Sequence, residues 1–120
     1  MLHPLLPKVY LELIETDGIR IDTWNPGSEE IGWSGKTAFQ ALELLQDSEV
    51  AVIGCEPAYI ERNCLRYRPE SSYITANGSE SPADYVRRSH AITREFLERS
   101  QGWAEPHEPL YIFGLTAVVV

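Results

Sequence analysis

The chain has 120 residues, 43% of them hydrophobic, and a formal net charge of -8 at pH 7. That is enough apolar material for one buried core and too little for two, so a single domain spanning 1–120 is expected. The longest apolar runs are about half of what a bilayer-crossing helix needs. The opening MLHPLLPKVY carries Pro4, Pro7 and Lys8 where an export signal would place its apolar centre, which predicts a cytoplasmic protein with no membrane partner.

The acidity is unevenly spread. Residues 1–60 hold ten Asp and Glu against three Lys and Arg, whereas residues 61–120 hold eight against seven. A negative field concentrated in one half repels phosphate backbones and speeds encounter with cationic partners, so nucleic acid is not an expected partner. Cys55 and Cys64 are too few for a disulfide framework and are expected as reduced thiols.

In chain order, Lys8 to Glu15 fits a strand through Val9, Leu11 and Leu13 and a helix through Leu5, Leu6, Val9 and Leu13; the short helix is preferred. Asp17 to Gly35 contains Asp-Gly, Asn-Pro-Gly and Trp-Ser-Gly and is expected as a loop-rich connection, with at most a short extended piece at Ile19 and Ile21. From Thr37, Ala38, Ala41, Leu42, Leu44 and Leu45 form a helical stripe beside Gln40, Glu43 and Gln46. Val50 to Cys55, apolar at every position, predicts a central strand, and Tyr59 to Arg68 a strand with one wet face bearing Arg62, Arg66 and Arg68. Ser72 to Ala76 reads as extended and ends at Asn77-Gly78, a tight turn in which both residues tolerate positive φ.

SPADYVRRSHAITREFLERS, residues 81–100, has the marks of a helix start: Ser81 as N-cap, Pro82 in the first turn and Asp84 near the positive end. Tyr85, Ser89, Ile92 and Phe96, joined by Val86, Thr93 and Leu97, make a buried face. Each large apolar side chain buried there contributes about 1.5–3 kcal/mol, against roughly 0.5 kcal/mol for an exposed ion pair. Arg87, Arg88, Arg94 and Arg99 are therefore expected to neutralise the protein's own carboxylates rather than grip a ligand. LYIFGLTAVVV, residues 110–120, predicts a second central strand, which TAVVV either completes or overshoots. Together these elements predict an α+β fold, a small single-layer β-sheet packed by two or three helices.

No catalytic or cofactor motif emerges. His3, His90 and His107 share no metal-ligand spacing with either cysteine, and neither a P-loop nor a G-x-G-x-x-G follows the 50–55 strand. No cofactor, no metal and no catalytic residue is expected. A pocket between the late helix and the sheet, with Cys64, His90 and Tyr85 as its polar groups, is the alternative reading, and an acidic adaptor for an unrelated protein is a third.

The order of these segments is similar to that of the bacterial immunity protein 40 family of polymorphic-toxin systems. The resemblance rests on Trp33-Ser34, the Ala41-Leu42 helix, Ile53-Gly54, Tyr59, Tyr85-Val86 with Ser89, and Tyr111 to Leu115, and covers about residues 30 to 116. The family's Gly-Gly-Asp-Val-Tyr stands here as Gly54-Cys55-Glu56-Pro57-Ala58-Tyr59, one residue longer; the aromatic heading the later helix is replaced by Pro82, and a tryptophan-bearing middle segment appears as Ser72-Tyr73. The resemblance implies a non-enzymatic α+β protein that binds and neutralises a cognate toxin in contact-dependent competition; the residues themselves allow a monomer or a homodimer, since strand edges can pair between copies. For a basic toxin such as a nuclease, the candidate contacts are Glu29, Glu30, Asp47, Glu49, Glu56 and Glu61 for charge, with Trp33, Tyr59 and Tyr73 as aromatic anchors.

Overall fold

The computed structural model describes residues 6–28, 30–104 and 110–120. Its elements are α1 (Lys8–Asp17), β1 (Ile19–Arg20), a 3-10 turn (Ile21–Thr23), β2 (Ile31–Trp33), α2 (Gly35–Leu44), β3 (Val50–Glu61), β4 (Cys64–Tyr67), β5 (Ser72–Tyr73), α3 (Pro82–Ala104) and β6 (Leu110–Val119). The strands form one antiparallel sheet in the order β1-β2-β6-β3-β4, with β5 also paired to β3. The architecture is α+β, with the two long apolar segments, β3 and β6, adjacent at the centre.

Pairing between β3 and β6 runs from Val50↔Val119 to Ile60↔Leu110, so TAVVV completes the last strand. A bulge at Ile53, between the Val52 and Gly54 pairings, shifts the alternation by one residue. Val50 and Val52 before it and Cys55 after it consequently join one core with Phe113 and Leu115 of β6, Ile31 and Trp33 of β2, Tyr10 and Ile14 of α1, Leu42 and Leu45 of α2, and Phe96 and Leu97 of α3. Six consecutive apolar residues make sense on such a strand because both of its faces are covered. Ala51 packs instead with Ile74, Tyr85 and Val86, and Ala58 with Ile21 and Ile112.

Three local expectations are corrected. The Asp17–Gly35 segment is not only a connection: Ile31–Trp33 is a fully buried strand between β1 and β6. Tyr59 to Arg68 is not one strand but the end of β3, a turn and β4. Arg62 and Asn63 at that turn have φ of 51° and 63°, the two positive values a two-residue type I′ hairpin needs. The turn after Asn77 forms, with Glu80 N–H donating to Asn77 O at 3.0 Å, but its geometry draws on the Asn77 side chain, which accepts from Ser79 N–H at 3.1 Å. The described glycine with positive φ is Gly27, not Gly78.

Helix α3 does more than cover the sheet. Beyond β5, the free edge of β3 is closed by α3 side chains: Ser89 Oγ accepts from Val52 N–H at 3.0 Å while donating to Val86 O at 2.8 Å, and His90 Nε2 lies 2.7 Å from Val50 O. With Nε2 donating to that carbonyl, Nδ1 accepts from the Gln46 amide at 3.3 Å, which fixes a neutral tautomer; burial holds the His90 pKa below its ordinary value. Tyr85 donates its phenol proton to Ile74 O at 2.8 Å. Three of the arginines are occupied within the molecule. Arg88 bridges to Glu80 at 2.6 Å and to Thr75 O at 2.7 Å, Arg87 pairs with Asp84, and Arg99 lies over the Phe96 ring. The Arg88 contact holds the Glu80 carboxyl down at about 2.

Ser81 Oγ accepts from Asp84 N–H at 3.1 Å, as the cap requires. Replacing Ser81 with Ala should leave that donor to water and lower stability by about 1 kcal/mol, read as a fall in the urea midpoint at unchanged m-value.

Candidate functional site

Neighbouring residues on a strand face opposite ways, so Ile112 and Gly114 of β6 and Glu56 and Ala58 of β3 lie on the face away from Phe113, Leu115 and Cys55 of the main core. On that outer face Gly114 is paired with Glu56 on one side and Gly32 on the other. Glu30, just before β2, folds its carboxyl down onto Gly114. A Cβ on Gly114 would come within 1.5 Å of Glu30 Oε1 and 2.5 Å of its Cδ, so only glycine leaves room for this seat.

Glu30 is only 7% exposed, and its Oε1 is buried with no hydrogen-bond partner among the described residues. Its carboxyl sits within hydrogen-bonding reach of half-buried Glu56. Burial first, and the Glu56 charge and hydrogen bond after it, push the Glu30 pKa up to about 7. Glu30 is therefore partly protonated at neutral pH. Among the described residues, no lysine or arginine forms an ion pair with either of them.

Two tyrosines flank the pair. Tyr67 of β4, opposite Ala58, and Tyr73 of β5, opposite Gly54, are 40% and 65% exposed, and the Tyr73 ring packs on Gly54. Burial, then the Glu30 and Glu56 charges, push the Tyr67 phenol up to about 12, with the nearby Asn25 side chain opposing them. Tyr73 is raised for the same reasons, with Glu56 also in hydrogen-bonding reach. Both rings therefore stay un-ionised and offer O–H donors and π-faces beside an uncompensated negative charge. Cys55, on the opposite face but close to the same carboxylates, is driven up to about 12 chiefly by burial, which leaves it an inert thiol.

Of the residues singled out by sequence, Glu30, Glu56 and Tyr73 come together here, and Tyr67, which is not among them, completes the group. The rest lie elsewhere. Trp33 is fully buried and stacks on Tyr10 with ring centroids 5.9 Å apart, so it is a core side chain and presents no surface to a partner. Tyr59 is half-buried against Tyr111 at 5.7 Å, and Glu61 pairs with Arg66 at 3.5 Å. Asp47 and Glu49 are exposed just before Val50, at the opposite end of β3 from Glu61, and Glu29 lies outside the described residues.

The alternative polar group of Cys64, His90 and Tyr85 is not assembled. Cys64 pairs with Glu61 and His90 bonds Val50, so the two mark opposite ends of a 12-residue strand, roughly 36 Å apart at the usual rise. Both cysteines are free, Cys55 buried and Cys64 exposed. Among the described residues no helix is long and apolar enough to cross a membrane.

Fold and face together define a small α+β domain whose distinctive surface is an acidic, tyrosine-flanked sheet face. Residues 20–115 match the family Immunity protein 40, and the chain belongs to that family, which supports an immunity role. Neither the curated proteins nor the solved structures contain a match to this chain. Within the matched range, Trp33 fills the core, Ser34 caps α2 by accepting from Thr37 N–H, and Tyr85 and Ser89 fasten α3 to the Ile74 carbonyl and the β3 edge.

Proposed function

We propose that this protein is a cytoplasmic immunity protein that binds a cognate toxin domain of a polymorphic-toxin system and neutralises it by protein–protein contact, without catalysis, using residues 1–120 as a single folded unit. Membership of the Immunity protein 40 family over residues 20–115 carries the reading. The net charge of -8 and the open acidic face fit a basic toxin domain, such as a nuclease, because opposite fields raise the association rate while exposed aromatics such as Tyr73 lengthen residence.

Co-expression with the toxic domain encoded next to it tests this directly. Cells carrying both should grow where the toxin alone kills, and the two proteins should co-purify as one complex. Growth arrest undiminished by this chain, with no complex on size exclusion, would sink the proposal.

A further inference from the structure

We infer that the Glu30–Glu56 pair, set between Tyr67 and Tyr73, is the receptor for one basic side chain, an arginine or lysine, projecting from the toxin. This deepens the immunity reading and rests on it. Four observations converge on this face. Glu30 is 7% exposed and Oε1 has no partner among the described residues, so a buried acceptor is left open. Gly114 holds it there, since any larger residue would occupy the carboxyl's seat. Among the described residues, the titratable groups that interact with it are the Glu56, Tyr67, Tyr73 and Cys55 side chains, which supply negative charge or neutral donors. The exposed tyrosine rings provide flanks on which a guanidinium stacks or an ammonium rests.

A buried carboxyl with an acceptor left open and no cation paired to it costs stability unless something external completes it. Other features of the molecule lack that property. The groove lined by Glu70, Ser72, Phe96 and Arg99 has its carboxylate's charge met by Arg68, which bonds Oε1 and leaves only the buried Oε2 without a partner among the described residues, and the hollow around Gln46 and His90 is built from groups already bonded to one another and to the β3 edge. On the outer face the unmatched charge is acidic, and its natural complement is a single cation arriving from the partner.

Binding such a cation should expel the proton held by Glu30. Isothermal titration of the adjacent-gene toxin domain into the wild type, in buffers of different ionisation enthalpy, should show release of about half a proton at pH 7 and more at pH 6. The double variant Glu30→Gln with Glu56→Gln should bind at least about 30-fold more weakly and release no proton, while Glu43→Gln on the exposed side of α2 should match the wild type. Tight wild-type binding that the double variant retains within about twofold, or that releases no proton, overturns this inference and leaves the immunity reading standing. Absence of wild-type binding overturns both. A folded double variant, checked by its amide spectrum, excludes collapse as the cause of weaker binding.

Discussion

Replacing Trp33 with Ala should destabilise the protein by about 3–5 kcal/mol, a large part of the 5–15 kcal/mol typical of a domain this size. The indole is fully buried where β2, β6, α1 and α2 meet: Trp33 pairs with Phe113 across the sheet, stacks on Tyr10 and is followed by Ser34, the cap of α2. Its removal leaves a cavity beneath two helices, neither of which can collapse into it without leaving its own contacts. A fall in melting temperature of roughly 10–20 °C is expected. Tyr73→Ala is the counterpart. With 65% of that side chain in solvent, stability should move by no more than about 0.5 kcal/mol, and any effect should appear in toxin affinity. If Trp33→Ala instead leaves the unfolding midpoint untouched and abolishes binding, the assignment of Trp33 to the core is wrong.

The contrast between these two aromatics shows what a sequence can and cannot disclose. Helices α2 and α3 were legible because their apolar stripes run for several turns and Ser81-Pro82 marks a start. Strand β6 and the first half of β3 were legible because apolar runs rich in β-branched residues suit a sheet centre, whereas the continuation of β3 to Glu61 was not read. Strand β2 was hidden by its size: three residues flanked by turn formers carry no period, and only pairing with β6 makes them a strand. The β3–β4 turn was hidden because Arg62-Asn63 holds positive φ without the glycine that usually announces it.

The candidate site was legible in kind but not in arrangement. Glu30, Glu56 and Tyr73 stood out as charge and aromatic surface, yet so did Trp33, since an aromatic's side of the sheet depends on register. What joins Glu30 to Glu56 is the absence of a side chain at Gly114, far along the chain on a third strand. No local pattern encodes that contact. The family motifs also point away from the face, because Trp33-Ser34 and Tyr85-Val86 with Ser89 serve packing and edge closure, which constrain the fold whatever the partner. The exceptions are Gly54 and Gly114, which lie in the Ile53-Gly54 and Tyr111 to Leu115 segments and face outward, beneath the Tyr73 ring and the Glu30 carboxyl.

Glu30→Gln should stabilise the free protein above neutral pH and do nothing for it in acid. Because the folded-state pKa of Glu30 is about 7 against an ordinary 4.5, the native protein binds more protons than the unfolded chain between those values. Its contribution is therefore fully present below about pH 4.5 and is lost as pH rises through about 7. The full shift would correspond to about 3 kcal/mol, and solvent reaching the pair through half-buried Glu56 reduces this to about 2 kcal/mol. Glutamine mimics the neutral carboxyl at every pH, so the variant should exceed the wild type by about 2 kcal/mol at pH 8 and equal it near pH 4. His90 bends the wild-type curve the other way, since its depressed pKa makes stability fall as pH drops below about 6.5; that slope is common to both proteins and cancels in their difference. Gly114→Ala should erase the same pH dependence by a different route, expelling the Glu30 carboxyl into solvent. Urea titrations of the three proteins from pH 4 to pH 8 measure this, and parallel wild-type and Glu30→Gln curves would show that the carboxyl pair carries no strain. A side chain whose neutralisation strengthens the fold but weakens toxin binding has the profile of a residue retained for its partner.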